Sequence, residues 1–164
     1  MPDGSKTLVR EFISGRLDYC ISLLYGMTEC LFQRLQSVQN AAARLITRTG
    51  RREHITPVLR ELHWPPVRRR VDFQLATFMY KTLHGRMPRY LSDDCQLISD
   101  ASRRIRSSDT FTLKCFAVPR TRTRMGDRSF AVAGPQIWNS PPADLRLVDI
   151  YARFRRLLKG HMSG

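Results

Sequence analysis

The chain has 164 residues, a length that suits one domain burying roughly 70% of its unfolded surface. It carries 28 Lys+Arg against 14 Asp+Glu, a formal net charge of +14, which favours an anionic partner such as nucleic acid or an acidic membrane surface. There is no charged-then-apolar leader, and no apolar run approaches the ~18 residues that span a bilayer, so no membrane partner is expected.

Four cysteines, at 20, 30, 95 and 115, form no CxxC pair, and the histidines at 54, 63, 84 and 161 form no HxxxH arrangement. A zinc site is therefore not expected, and neither is any other cofactor or small-molecule substrate. The expectation is an intracellular protein, nuclear or cytoplasmic, with reduced thiols. The charge is uneven: residues 1–47 hold five basic and four acidic residues, leaving 23 and ten beyond Thr47.

In chain order, residues 1–6 are polar and expected to be disordered, and a helical core is expected over 7–91. Leu8, Phe12, Leu17, Cys20, Ile21, Leu24 and Tyr25 predict two short helices broken near Gly15 and closed by Gly26. From about Glu29 to Arg48, the residues Leu31, Leu35, Val38, Ala42 and Leu45 are spaced 4, 3, 4, 3, which predicts a long helix packed along that seam. Its opposite face, Gln33, Gln36, Gln39 and Asn40, is polar and nearly uncharged, fitting either solvent or another surface.

A joint follows. Thr56 is expected to cap a short helix beginning at Pro57 and ending by Trp64, and Pro66 to open a second helix that Gly85 ends near Leu83. Arg68, Arg69 and Arg70 then sit at the positive end of that helix, where a negative partner is needed: Glu61, Asp72 or a phosphate. Val71, Leu75, Phe78, Met79 and Leu83 form its apolar stripe, flanked by Phe73 and Tyr80.

Residues 92–114 are serine-rich and read as a linker or loop, containing Arg103, Arg104 and Arg106. Residues 115–118 suggest a short strand, opening a basic tail over 115–164. Beyond it Arg120, Arg122 and Arg124 alternate with Thr121 and Thr123; in an extended chain this points all three guanidinium groups to one side. Asp127 is expected to cap a helical turn holding Phe130, Val132 and Ala133, and Trp138 to need a partner for its indole N–H. A last helix from near Asp149 buries Ile150, Phe154, Leu157 and Leu158, stops at Gly160, and turns Arg153, Arg155, Arg156 and Lys159 outward. The fold class expected is mainly α, with five or six helices, an irregular basic loop, at most a short β hairpin, and neither a polymerase palm nor an endonuclease fold.

The segments GRLDYCISLLYG, LQSVQNAAARLITRTGRREHITPVLRELHWPPVRRRVDF, YKTLHGRMPRYLSD, VPRTRTRMGDRSFAVAGPQIWNSPPADLR and FRRLLK, in that order and spacing, resemble the region downstream of the reverse transcriptase core in LINE-type, non-LTR retrotransposons of the jockey group. The resemblance covers the chain from about Leu8. It implies a C-terminal fragment of an RNA-directed DNA polymerase, whose family nicks DNA and primes reverse transcription from the exposed 3′ hydroxyl. An upstream polymerase domain in the parent protein and RNA or DNA as partners are implied with it. Pro66 and Pro141 replace leucine-like residues of the family, and residues 1–6 look unrelated to it, as if an open reading frame began inside a truncated element.

The family polymerase requires an aromatic-x-Asp-Asp hairpin to hold metal ions. The one candidate, Asp93-Asp94, has Leu91 in the aromatic place and Cys95-Gln96 after it, so it reads as a solvated loop or helix end. The chain is thus expected not to be an enzyme. Its candidate nucleic-acid-binding residues are Arg68, Arg69, Arg70, Arg103, Arg104, Arg106, Arg120, Arg122, Arg124 and Arg128, since the guanidinium fork suits phosphate. Two other readings remain at this point: an inert relic, and a host-recruited module binding protein through the glutamine-rich face or the Trp138 region.

Overall fold

The structure is a computed structural model that describes Thr7, Glu11, Gly15 and residues 21–98 and 114–163. It is mainly helical. After a 3-10 turn at Ile21–Leu24, the described residues form α1 (Glu29–Thr47), α2 (Ile55–Glu61), α3 (Val67–Leu83), α4 (Arg89–Ser92), α5 (Arg124–Asp127), α6 (Phe130–Asn139), α7 (Ala143–Arg146) and α8 (Tyr151–Ser163). Among them α4, α5 and α7 are single turns, leaving five longer helices. No sheet occurs among the described residues, so no polymerase palm is present in them. The chain divides into two compact units, Met1–Val71 and Asp72–Gly164, with the division falling inside α3. Of the expected linker 92–114, residues 99–113 lie outside the described residues, as do nearly all of the expected N-terminal helices.

In the first unit, α1 runs where the sequence places it. Glu29 supplies an acid in its first turn, Ala41 to Ala43 favour the helix, and Arg48 closes it in the left-handed region at φ 59°. Its buried face differs from the expected one. Phe32, Gln39, Ala42, Ala43 and Ile46 are buried, whereas Leu31, Val38 and Leu45 are exposed. The small alanines let Ile46 and its neighbours meet Val58 and Leu59 of α2 and the Trp64 ring in one apolar cluster, and side chains of this size contribute about 1.5–3 kcal/mol each when buried.

The joint also departs in detail from the expectation. Helix α2 begins at Ile55 after His54, so Thr56 is not its cap and Pro57 lies within the first turn. The substitution of one position for another is permitted because every N–H in a first turn lacks an intrahelical partner. At its far end His63 takes a positive φ of 55°, and the Trp64 N–H bonds back to the Leu59 carbonyl at 2.8 Å while His63 N–H reaches Arg60 at 3.0 Å. This left-handed closure turns the chain into Pro65-Pro66. Pro66 stands just ahead of α3, its carbonyl accepting the Arg70 N–H at 3.1 Å.

The second unit is built on residues 72–83 of α3. Ala76, Met79 and Tyr80 meet Cys95, Phe116, Trp138, Leu145, Phe154 and Leu158 in its core. Tyr80 moves from the expected flank to the centre, stacked on Phe154 at 4.4 Å and on His84 at 4.1 Å. Gly85, at φ 63°, ends α3 by a paired closure, Arg86 N–H to Lys81 and Gly85 N–H to Thr82. Helix α6 comes so close that a Cβ on Gly134 would lie 2.5 Å from the Met79 sulfur.

The C-terminal part of the chain departs from expectation in three places. Residues 115–118 form no strand; Phe116 makes one isolated antiparallel bridge to Leu97. Helix α8 does not stop at Gly160 but continues to Ser163, because Met162, one turn beyond Leu158, packs onto the core and offsets a mid-helix glycine that costs about 1 kcal/mol. Of its expected apolar face only Phe154 and Leu158 are buried, and Ile150 and Leu157 are exposed.

Candidate nucleic-acid interface

Each unit carries one of the expected arginine clusters. In the first, the start of α3 is wired by glutamines from α1. Gln36 accepts the Val67 N–H at 2.9 Å, satisfying one of the helix's four orphan donors, and donates to Gln39 and Asn40 at 3.0 and 2.9 Å. Gln39 is fully buried and donates to the Pro65 carbonyl at 2.9 Å. The polar face of α1 is therefore internal wiring at Gln36 and Gln39 rather than a free contact surface. The Pro65 carbonyl, ahead of α3, thus receives its donor from a side-chain amide of α1.

The three arginines at this end are not equivalent. Arg68 pairs with Glu29, and its guanidinium lies 5.0 Å from the centre of the Phe32 ring. With the two side chains 59% and 63% exposed, the pair contributes no more than ~1 kcal/mol and is readily exchanged for a phosphate. Arg69 is exposed, and Arg70 is half-buried and already has a partner.

In the second unit the expected extended stripe is a compact turn. Residues 122 and 123 form a bend and Arg124 opens α5, so the two-residue alternation of an extended chain does not persist. The alternation survives as a division of tasks. Thr121 donates from its hydroxyl to the Asp127 carboxylate, and Thr123 accepts the Gly126 N–H at 3.1 Å as the side-chain cap of α5. Arg120, Arg122 and Arg124, between and beside these threonines, all stay exposed. Asp127 is consequently bound to Thr121 and does not cap α6, whose N-cap position is Ser129. A β-carbon at Gly126 would sit 3.0 Å from the Thr121 Cβ, a tight contact that a side chain there would have to relieve by a small shift of Thr121. Arg128 is half-buried and engaged with a partner. Arg103, Arg104 and Arg106 lie outside the described residues.

The turn is anchored to the unit's core just upstream. The Trp138 indole N–H donates to the Lys114 carbonyl at 2.8 Å, the partner its burial required. Lys114 Nζ donates to Asp149 Oδ1 at 2.8 Å. That hydrogen bond first, then the lysine charge and the nearby His84, hold the Asp149 carboxyl below its ordinary range. Burial raises the Tyr80 phenol, whose hydroxyl donates to the Asp149 backbone carbonyl. Burial, with Asp94 beside it, pushes the Cys95 thiol up to about 11.

Asp93 and Asp94 are exposed at the end of α4. No group of three metal-ligating side chains gathers among the described residues, and no helix among them is long and apolar enough to cross a membrane. Two basic features escaped the sequence reading. Arg155 of α8 lies within 6 Å of both the Tyr151 and Phe73 rings, at 5.6 and 5.8 Å, a geometry favourable to its cation. Arg146, only 8% exposed, donates to the Cys115 sulfur at 2.6 Å. Nothing in the local sequence ADLR distinguishes that arginine from a solvated one.

No protein-family model matches the sequence, and neither a curated protein nor a solved structure matches it.

Proposed function

We propose that the chain is a non-catalytic nucleic-acid-binding fragment, derived from the C-terminal region of a LINE-type retrotransposon RNA-directed DNA polymerase, and that it contacts RNA or DNA phosphates during the parent's target-primed reverse transcription. The observation that carries the binding reading is the turn at 120–127: its threonines are spent on holding the loop, which leaves Arg120, Arg122 and Arg124 exposed on a fixed backbone. Guanidinium groups presented this way lose less freedom on meeting a phosphate than arginines on a fraying chain. Arg69, and Arg68 by exchange of Glu29, add a second set of donors. The family assignment rests on the order and spacing of the sequence segments given above.

The test is fluorescence anisotropy of the full chain with labelled single-stranded RNA, single-stranded DNA and duplex DNA across a salt series. With about six phosphates neutralised, log affinity falls against log salt with a slope of about −4 on single strands and about −5 on duplex. Replacing Arg120, Arg122 and Arg124 together by alanine should weaken binding to all sequences alike and flatten the slope. A folded chain that binds none of the three near physiological salt would favour an inert relic or a protein-binding module instead.

A further inference from the structure

We propose that α1 presents a docking face for an acidic amphipathic helix of another protein. The face is one straight row along the helix, Leu31, Arg34, Val38, Ala41 and Leu45, spaced alternately by three and four residues, with Arg48 at the cap that closes it, and all six are exposed. Leu31 is 37%, Val38 54% and Leu45 55% exposed, although the neighbouring row of the same helix is fully engaged in the first unit's core.

The spacing selects the shape of the partner. Leu31, Val38 and Leu45 recur every seven residues, so they stay on one line and span about 21 Å at 1.5 Å per residue. A seven-residue apolar repeat is the pattern another helix meets by inserting its own side chains between turns. A strand or an irregular peptide would match one of these residues and miss the next.

The charge selects its chemistry. Between Glu29 and Glu53 the chain contains five arginines and no acidic residue; Arg34 lies within the row and Arg48 at the cap where the helix ends. A second copy of this chain would bring arginine toward arginine and add another +14 to the assembly, which disfavours self-association. A helix with leucine-like residues along one seam and glutamates beside it meets both the apolar and the basic positions. Nucleic acid meets only the arginines and leaves three large apolar side chains against phosphate.

The probe is a fluorescein-labelled 28-residue peptide with leucine at the a and d positions of four heptads and glutamate at e and g, titrated with the full chain. Saturable binding is expected, weakening with salt. Val38→Asp, at an exposed position that leaves the circular-dichroism spectrum and melting temperature essentially unchanged, should weaken it at least tenfold. The pair Arg34→Glu and Arg48→Glu should weaken it several-fold while leaving the fold intact. Absence of binding, binding indifferent to Val38→Asp, or equal binding of a peptide with lysine at e and g would each overturn the proposal. So would sedimentation showing a dimer of the chain that Val38→Asp dissolves, since the occupant would then be a second copy.

Discussion

The Asn139 side chain satisfies both backbone hydrogen-bonding groups of Phe116, donating from Nδ2 to its carbonyl at 2.8 Å and accepting its N–H at Oδ1 at 3.1 Å. A carboxamide thus takes the place that a neighbouring strand would occupy in a sheet, on the side of Phe116 away from its bridge to Leu97. Phe116 is buried, so these groups have no water to fall back on. Asn139→Ala should cost about 2–4 kcal/mol, the sum of two newly unsatisfied groups, in urea denaturation followed by tryptophan fluorescence. A loss below 0.5 kcal/mol would show that the bridge holds Phe116 without it.

Gly134 and Met79 set a limit on how closely α6 and α3 approach. Both positions are buried, and an added methyl would fall 2.5 Å from the Met79 sulfur and 3.2 Å from its Cγ. Gly134→Ala should therefore destabilise by about 1–3 kcal/mol through overpacking, despite alanine's better helix propensity. In a double-mutant cycle with Met79→Ala the two losses should be less than additive, because the shortened side chain vacates the space. Simple additivity would place the strain elsewhere.

Stability should fall at both ends of the pH range for identifiable reasons. The folded Asp149 carboxyl titrates below its unfolded value, so its contribution is present above the ordinary carboxylate range and lost as pH falls through the folded value. Lys114→Met should flatten that acid limb. The folded Tyr80 phenol titrates above its unfolded value, so its contribution is intact below the ordinary tyrosine value of about 10 and is lost as pH rises. Tyr80→Phe should reduce the alkaline slope while costing about 1 kcal/mol at neutral pH for the lost bond to the Asp149 carbonyl. Unaltered pH profiles in both variants would refute these assignments.

The cysteines should separate by reactivity. Cys30 is exposed, whereas Cys95 is buried with its thiol raised to about 11. The thiolate is the nucleophile, so at pH 8 iodoacetamide should modify Cys30 within minutes and Cys95 only at the rate of unfolding, as resolved by peptide mass spectrometry. Comparable rates at the two sites would mean that the α4 region opens without global unfolding.

The helix boundaries were legible in the sequence to a degree that the faces were not. The extent of α1 follows from its periodicity, the alanines and the absence of glycine or proline. Which row turns inward does not. The leucine row has the stronger hydrophobic signal, yet the core takes the adjacent one, because Gln39 finds a carbonyl at Pro65 and the alanines admit α2. A buried amide matched to one distant carbonyl has no local signature, since its value depends on a partner 26 residues away.

The candidate interface divides the same way. The arginine clusters could be read directly as charge, and the threonines between Arg120 and Arg124 were visible as spacing. Their use as loop fasteners could not be, because it requires Asp127 and Gly126 to fold back onto them. Equally, the pairing of Arg68 with Glu29 spans 39 residues and was hidden behind the nearer candidates Glu61 and Asp72.

The chain's two tryptophans fall one to each unit, Trp64 in the first and Trp138 in the second, and both are buried. Their surroundings differ: the Trp138 indole N–H is hydrogen-bonded, while that of Trp64 has no partner among the described residues. The molecule consequently carries a native optical label in each half. Replacing either ring by phenylalanine leaves an emission signal that reports one half alone.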